Sequence, residues 1–147
     1  MLNEEHYRKL ERMYASAQCN QYYTPTLCVG DGHTELVIPV RSDFFHSAGA
    51  VHGATYFKAL DDAAFFAVSS LVDDVIVLTV SFSIYLIRPI SEGKMKSIGR
   101  VVHRSRRVFV AESEAVDSKG RMIARGSGTF MRSTIPLSPE INYSSVL

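Results

Sequence analysis

No window of this chain comes near the roughly 18 to 20 consecutive apolar residues that a bilayer-spanning helix needs. Residues 1–12 are charged and hold no apolar stretch of the kind a secretory leader carries, so a cytoplasmic protein is the expectation. Cysteine is scarce as well. Cys19 and Cys28 are too few for a disulfide framework and are not spaced as CxxC, which favours two reduced thiols over a disulfide or a zinc site, and no metal is expected. Common catalytic signatures are also missing: there is no GxSxG elbow, no P-loop, no GxGxxG after a strand and no HExxH.

What is present fits one compact domain over residues 1–147, with 46% hydrophobic content and mean hydropathy near zero. The formal net charge of +1 hides a polarity along the chain, −5 over residues 1–87 and +7 over residues 88–132. The basic second half suits either an anionic ligand or the solvent-facing positions of amphipathic strands. Nucleic acid is not the expected partner, because the basic residues fall at presumed sheet turns without interleaved aromatics or a recognition helix. A membrane surface is not expected either, since no basic amphipathic helix is present.

Hydrophobic spacing gives the elements. Residues 2–18 predict an amphipathic helix through Tyr7, Leu10, Tyr14 and Ala17, so residues 1–25 read as a covering segment. Residues 26–29 and 34–40 are β-branched runs around Gly30-Asp31-Gly32-His33, a hairpin pattern. A loop over residues 41–51 leads into a helix over residues 53–71, with Phe57, Leu60, Ala64, Val68 and Leu71 as one apolar stripe. Tyr56, Ala63, Phe65, Phe66 and Ala67 cover much of the remaining circumference, which predicts a buried helix.

Residues 75–90 predict a long strand in which Thr79, Ser81, Ser83 and Tyr85 alternate against Val80, Phe82, Ile84 and Leu86. Strands over residues 94–103, 107–116 and 122–131 follow after turns at Ser91-Glu92-Gly93, Arg104-Ser105-Arg106 and Asp117-Ser118-Lys119-Gly120. These short connections imply an antiparallel meander. Residues 133–147, with Pro136 and Pro139, read as a loosely held tail. The fold class is therefore α+β, an antiparallel sheet wrapped around a long central helix, with its core in residues 26–132. Such a sheet leaves edges open, and pairing with a second copy is expected.

Gly53 and Ala54 stand where the central helix begins, and the first helical turn offers unpaired N–H groups and the positive end of the dipole. That is a place for a developing oxyanion, and a glycine lets a carbonyl oxygen come close. Asp61 lies two turns on, sharing a face with Phe57, Ala64, Phe65 and Val68, where desolvation should raise its pKa. Asp62, four residues after Lys58, reads as half of a solvated ion pair.

The stretch resembles the hot-dog-fold acyl-CoA thioesterases of the phenylacetate-pathway (PaaI-like) type, which carry an Asn-x-x-Gly-x-x-His-Gly-Gly loop and an Asp nine residues after its His. Here Gly49, His52 and Gly53 match, and Asp61 falls nine after His52. The strand end Tyr85-Leu86-Ile87-Arg88-Pro89 and the turn Ser118-Lys119-Gly120 before Met122-Ile123-Ala124-Arg125-Gly126 are similar to the family's later strands. The resemblance covers residues 26–132.

It implies hydrolysis of an acyl-CoA thioester, with the Gly53 N–H polarising the carbonyl and Asp61 of a partner subunit activating water or attacking directly. It also implies a site across a homodimer interface, and leaves both a dimer and a homotetramer, a dimer of dimers, open. Thr79 then takes the place of a Ser or Thr that holds the attacking water, and His52 shapes the loop. Coenzyme A is part of the substrate and no separate cofactor is implied. Gly49 and Ala54 fall in the substrate loop, and Arg88, Arg104, Arg106 and Arg107 stand where family members meet the coenzyme A phosphates, for which guanidinium geometry is suited.

Two positions depart from the pattern. His46 replaces the family's Asn and Ala54 its second glycine. An imidazole still donates or accepts a hydrogen bond, but its reach and its charge near pH 6 to 7 differ from an amide's. Two other readings compete with hydrolysis: a non-catalytic acyl-CoA-binding protein of the same fold, and a dehydratase or hydratase pairing His46 with Asp61. The second lacks the proline-rich loop expected of the acyl-carrier dehydratases.

Overall fold

The computed structural model describes residues 3–145. Helix α1 (Glu4–Ser16) begins with Glu4 and Glu5 at the positive end of its dipole. It buries His6, Tyr7, Leu10 and Tyr14 on one side, while Arg8 and Lys9 pair with Glu4 and Glu5 on the other. A four-residue turn of helix, α2 (Asn20–Tyr23), follows and is closed by Thr24 at a left-handed φ of 47°. Its polar and aromatic sequence carries no helical period, which is why spacing does not reveal it.

Strands β1 (Thr26–Gly30) and β2 (His33–Pro39) form the expected hairpin, with Gly32 in the turn at φ 66°. Helix α3 (Gly53–Ser69) then lies across the concave face of a six-stranded antiparallel sheet. The remaining strands are β3 (Val75–Leu86), β4 (Lys94–Arg104), β5 (Val108–Val116) and β6 (Met122–Pro136), and the order is β1-β2-β4-β5-β6-β3. The wrapped-sheet architecture expected from the sequence is thus observed.

The meander is corrected at one point. Strands β4, β5 and β6 are consecutive neighbours, but β3 pairs with β6 at the far edge instead of with β4. The connection over residues 87–93 is long enough to cross from one edge toward the other. It is pinned on the way, because Ile87 and Arg88 donate to the Ile123 carbonyl and Val51 donates to that of Ile90.

Close approach of α3 to the sheet rests on small residues. Ala59, Ala63 and Ala67 are fully buried, and a Cβ at Gly99 of β4 would lie 2.2 Å from the Ala63 carbonyl oxygen. Sheet hydroxyls also bond to the helix backbone: Thr34 donates to the Ala63 carbonyl at 2.6 Å and Ser113 to that of Leu60 at 2.8 Å. The apolar stripe is therefore centred on Tyr56, Ala59, Leu60, Ala63 and Ala67. Phe57, placed in the stripe by spacing, is instead 40% exposed and meets Phe82 edge-on at 5.6 Å.

Strand β3 also breaks its simple alternation. The pairing of Thr79 with Phe130 is followed by that of Ser81 with Thr129, so Val80 is an extra residue in a β-bulge and is 58% exposed. Before the bulge Val77 and Thr79 point toward α3; after it Phe82 and Ile84 do. This edge strand has a ladder only with β6 among the described residues, and it displays Leu78, Val80 and Tyr85 to solvent.

Over residues 133–145 the C-terminal segment is not the loose tail that its prolines and serines suggest, and residues 146 and 147 lie outside the described residues. Strand β6 continues to Pro136, opposite Val75, with Arg132 held by Asp74. A short 3₁₀ turn (Pro139–Ile141) follows, and Tyr143 docks on α1 through His6. Tertiary partners supplied by α1 and the β3 entry order a segment whose own sequence has little propensity.

Candidate functional site

The central loop is a tight structure built before α3. His46 N–H donates to the Ala50 carbonyl and Gly49 N–H to that of His46, with Gly49 at φ 83°, a conformation that favours glycine. The His46 ring turns back on this loop, its Nδ1 accepting from Ala48 N–H at 3.0 Å. His52 behaves alike one turn later. It caps α3, with Nδ1 accepting from Ala54 N–H at 2.9 Å and its carbonyl from Thr55 N–H at 3.0 Å. Both neutral imidazoles accept at Nδ1 and so carry their proton on Nε2.

His52 takes the Ala54 N–H and the Thr55 N–H, whereas the Gly53 N–H has no acceptor among the described residues. Gly53 lines a cavity of about 290 Å³ with His46, Tyr56, Leu86 and Arg88. Of the residues named from sequence, His46, Gly53 and Arg88 therefore meet here. Gly49 and His52 shape the loop around them.

Asp61 belongs to a different cavity. Eight residues along α3 from Gly53 is about 12 Å of helix rise, and the Asp61 carboxylate opens into a space of about 400 Å³ with Thr79, Tyr14, Phe65 and Ile141 on its walls. Thr79 Oγ1 donates to Asp61 Oδ1 at 3.0 Å, a contact the bulge at Val80 makes possible. Burial raises the Asp61 pKa to about 6; the Thr79 hydrogen bond opposes the rise, Asp62 adds to it and Lys58 reduces it.

Beside Asp61, the expected Lys58–Asp62 pair is present at 2.7 Å, but it is not solvated: both side chains are 16% exposed. Tyr14 donates to Asp62 Oδ2 at 2.6 Å, and the Lys58 ammonium lies over the Tyr14 and Tyr23 rings. Burial and the neighbouring Asp62 push the Tyr14 pKa up, so its hydroxyl stays protonated as the donor. Spacing places Tyr14 on the buried face of α1 and Lys58 one turn before Asp62, but the contact between them forms only where α1 and α3 meet in space.

The arginines divide. Arg106 and Arg107 line a basic groove of about 570 Å³ with Met131 and Arg132, a residue the sequence did not single out. Arg104 ends β4 opposite Phe109 and is exposed, and Arg88 lies with Gly53. The described residues contain no cluster of three or more His, Cys, Asp or Glu able to hold a metal. No helix among them is long and apolar enough to cross a membrane.

A model of the thioesterase superfamily matches residues 48–124, a span that includes the end of the loop, all of α3, strands β3 to β5 and the start of β6. A Saccharolobus solfataricus protein whose name assigns it provisionally to the esterases is 25% identical over 99 residues, 67% of this chain and 71% of that one. Among solved structures, E. coli PaaI, from the phenylacetic acid degradation operon, superposes with a TM-score of 0.85 at 17% identity, covering 94% of this chain and all of its own. A thioesterase family protein from Silicibacter pomeroyi superposes with a TM-score of 0.78 at 26% identity, covering 86% of this chain and 96% of its own.

Proposed function

This chain belongs to the thioesterase superfamily and has its hot-dog fold, and from that premise we propose that it hydrolyses an acyl-CoA thioester to the free acid and coenzyme A. The observation that carries the proposal is the Asp61–Thr79 pair: a half-buried carboxylate with its pKa raised to about 6, one oxygen held by a hydroxyl, at the wall of a largely apolar cavity. A carboxylate so placed is a stronger base than an exposed one yet still ionised at pH 7. Oδ1 is engaged by Thr79 and Oδ2 remains to take a proton from water. The water oxygen bonds to the thioester carbon, the Gly53 N–H takes the developing oxyanion, and the proton held by Asp61 goes to the departing sulfur.

One chain does not bring these two groups to one carbonyl, because about 12 Å of helix separates them. A second copy related by a twofold axis does, if each site takes its oxyanion donor from one protomer and its carboxylate from the other. The open β3 edge, with Leu78, Val80 and Tyr85 exposed, supplies a surface for that pairing. Arg106, Arg107 and Arg132 form the basic groove offered to the coenzyme A phosphates.

The test is release of free thiol from a panel of acyl-CoA esters, followed by mixing two inactive variants. Gly53→Pro removes the N–H and Asp61→Ala the carboxylate. Random pairing puts both intact groups in one of the two sites of half the dimers, so about a quarter of wild-type activity returns. No thiol release from any ester overturns the hydrolytic reading, and no recovery on mixing overturns the shared site. A second reading, a non-catalytic acyl-CoA-binding protein, is favoured by His46, whose Nδ1 is spent on its own loop. Tight ester binding without turnover would establish it.

A further inference from the structure

The cavity at Asp61 is assembled from pieces remote in sequence: Met13 of α1, Asp61 and Phe65 of α3, Thr79 of β3, and Ile141 and Asn142 of the C-terminal segment. At about 400 Å³ it is in the size range of small-molecule sites. If a thioester carbonyl is attacked beside Asp61, its acyl group has this apolar space to enter, and Ile141 is part of the wall. The fold itself does not require that wall, because β6 and its pairing end at Pro136.

Something nevertheless holds it there. Past β6, Leu137 N–H donates to the Asp74 carbonyl, and the 3₁₀ turn (Pro139–Ile141) presents Ile141 to the cavity. Asn142 reverses the chain at φ 66°. Tyr143 then reaches His6, a histidine only 6% exposed. His6 Nε2 lies 2.8 Å from the Ser69 carbonyl, which accepts only, so Nε2 carries the proton. In the neutral ring Nδ1 is left as an acceptor, and the Tyr143 hydroxyl donates to it at 2.6 Å. The ammonium of Lys9 lies 5.3 Å above the Tyr143 ring, and Arg12 donates to Ser144 Oγ at 3.1 Å. One buried imidazole thus ties α1, the end of α3 and the tail together, two residues after Ile141.

We infer that the C-terminal segment is a strap across the acyl end of the Asp61 cavity, with Ile141 limiting the size of the acyl group and the His6–Tyr143 pair fixing where Ile141 stands. The inference rests on the acyl-CoA reading of this site and adds the element that sets acyl selectivity. His6 and Tyr143 are positioning residues; Ile141 makes the contact.

The test uses the full-length protein and a series of straight-chain acyl-CoA esters from acetyl to dodecanoyl, with kcat and KM measured for wild type, Ile141→Trp, Ile141→Ala and Tyr143→Phe. Ile141→Trp is expected to lower the long-to-short ratio of kcat/KM by at least about tenfold, since single methylenes in an apolar pocket already discriminate by that order. Ile141→Ala and Tyr143→Phe are expected to raise the ratio, the first by removing bulk and the second by releasing the strap. A purely structural tail would lower all esters together. If the three variants keep the wild-type length profile in a protein that turns over, the strap is overturned while the hydrolytic reading survives. Wild type that hydrolyses no ester overturns both, and the wild-type measurements alone distinguish that failure.

Discussion

Replacing Asp61 by asparagine should move activity and stability in opposite directions. The amide keeps the oxygen that accepts from Thr79 at 3.0 Å but is no longer a base. Loss of a positioned general base costs about 10²- to 10⁴-fold in kcat. Stability responds to the charge instead. In the folded chain the Asp61 pKa is raised from 3.8 to about 6, so between those values the folded state holds a proton that the unfolded state has lost. Its contribution is fully present below pH 3.8 and is lost as pH rises through 6. At pH 7 the wild type therefore carries the cost of a half-buried charge. Each pKa unit corresponds to about 1.4 kcal/mol, and discounting for partial exposure leaves a cost of about 2 kcal/mol. Asp61→Asn relieves it and should raise Tm by about 4 to 8 °C at pH 7 for a domain of this size. At pH 4 the advantage should nearly vanish, because the wild-type carboxyl is then neutral in the fold. Thermal unfolding at the two pH values and thiol release at pH 7 read both effects. A variant that retains activity, or one that is equally destabilised at both pH values, refutes the reasoning.

The wild-type rate should fall on the acid side with a midpoint near 6 as the carboxylate is protonated. Thr79→Val removes a bond that favours the charged form, so the same limb should move toward higher pH in a thiol-release profile; an unmoved or lowered midpoint refutes the role given to Thr79. His46→Asn puts the amide of the resembling family in place of the ring whose Nδ1 holds the Ala48 N–H and should change KM in a thiol-release assay; an unchanged KM would show that the ring serves only its loop. Gly99→Ala drives a Cβ to 2.2 Å from the Ala63 carbonyl oxygen, a backbone atom that moves only with the helix, and should cost about 1 to 3 kcal/mol or more by chemical denaturation; a neutral result would contradict the helix–sheet packing.

The fold was legible because its two main signals are local. A nearly all-apolar helical run over residues 53–71 has few places to go except under a sheet, and β-branched runs between glycine and aspartate turns are strand grammar. The candidate site was legible only in part. Gly53 and Asp61 follow from a glycine at a helix start and a carboxylate among aromatics, while the basic cluster was visible as charge but not as a groove. The order β6-β3 was not legible, since short connections favour neighbours and nothing local announces a crossing over residues 87–93. The docked C-terminal segment was hidden for a similar reason: His6 and Tyr143 stand 137 residues apart, and neither has an unusual local setting.

By itself the sequence determined the elements, the buried helix, the glycine at its start and the carboxylate nine residues after His52, because each depends on spacing within one element. Tertiary structure alone decided which residues meet. Plain alternation puts Thr79 on the opposite face from Phe82, and the single extra residue at Val80 turns both toward α3, bringing a hydroxyl to 3.0 Å from Asp61. Likewise Lys58 and Asp62 became a buried pair only when Tyr14 of α1 closed over them. Periodicity fixes the face a side chain takes, but bulges, crossings and docked ends fix its neighbours, and the acidity of Asp61 depends on those neighbours.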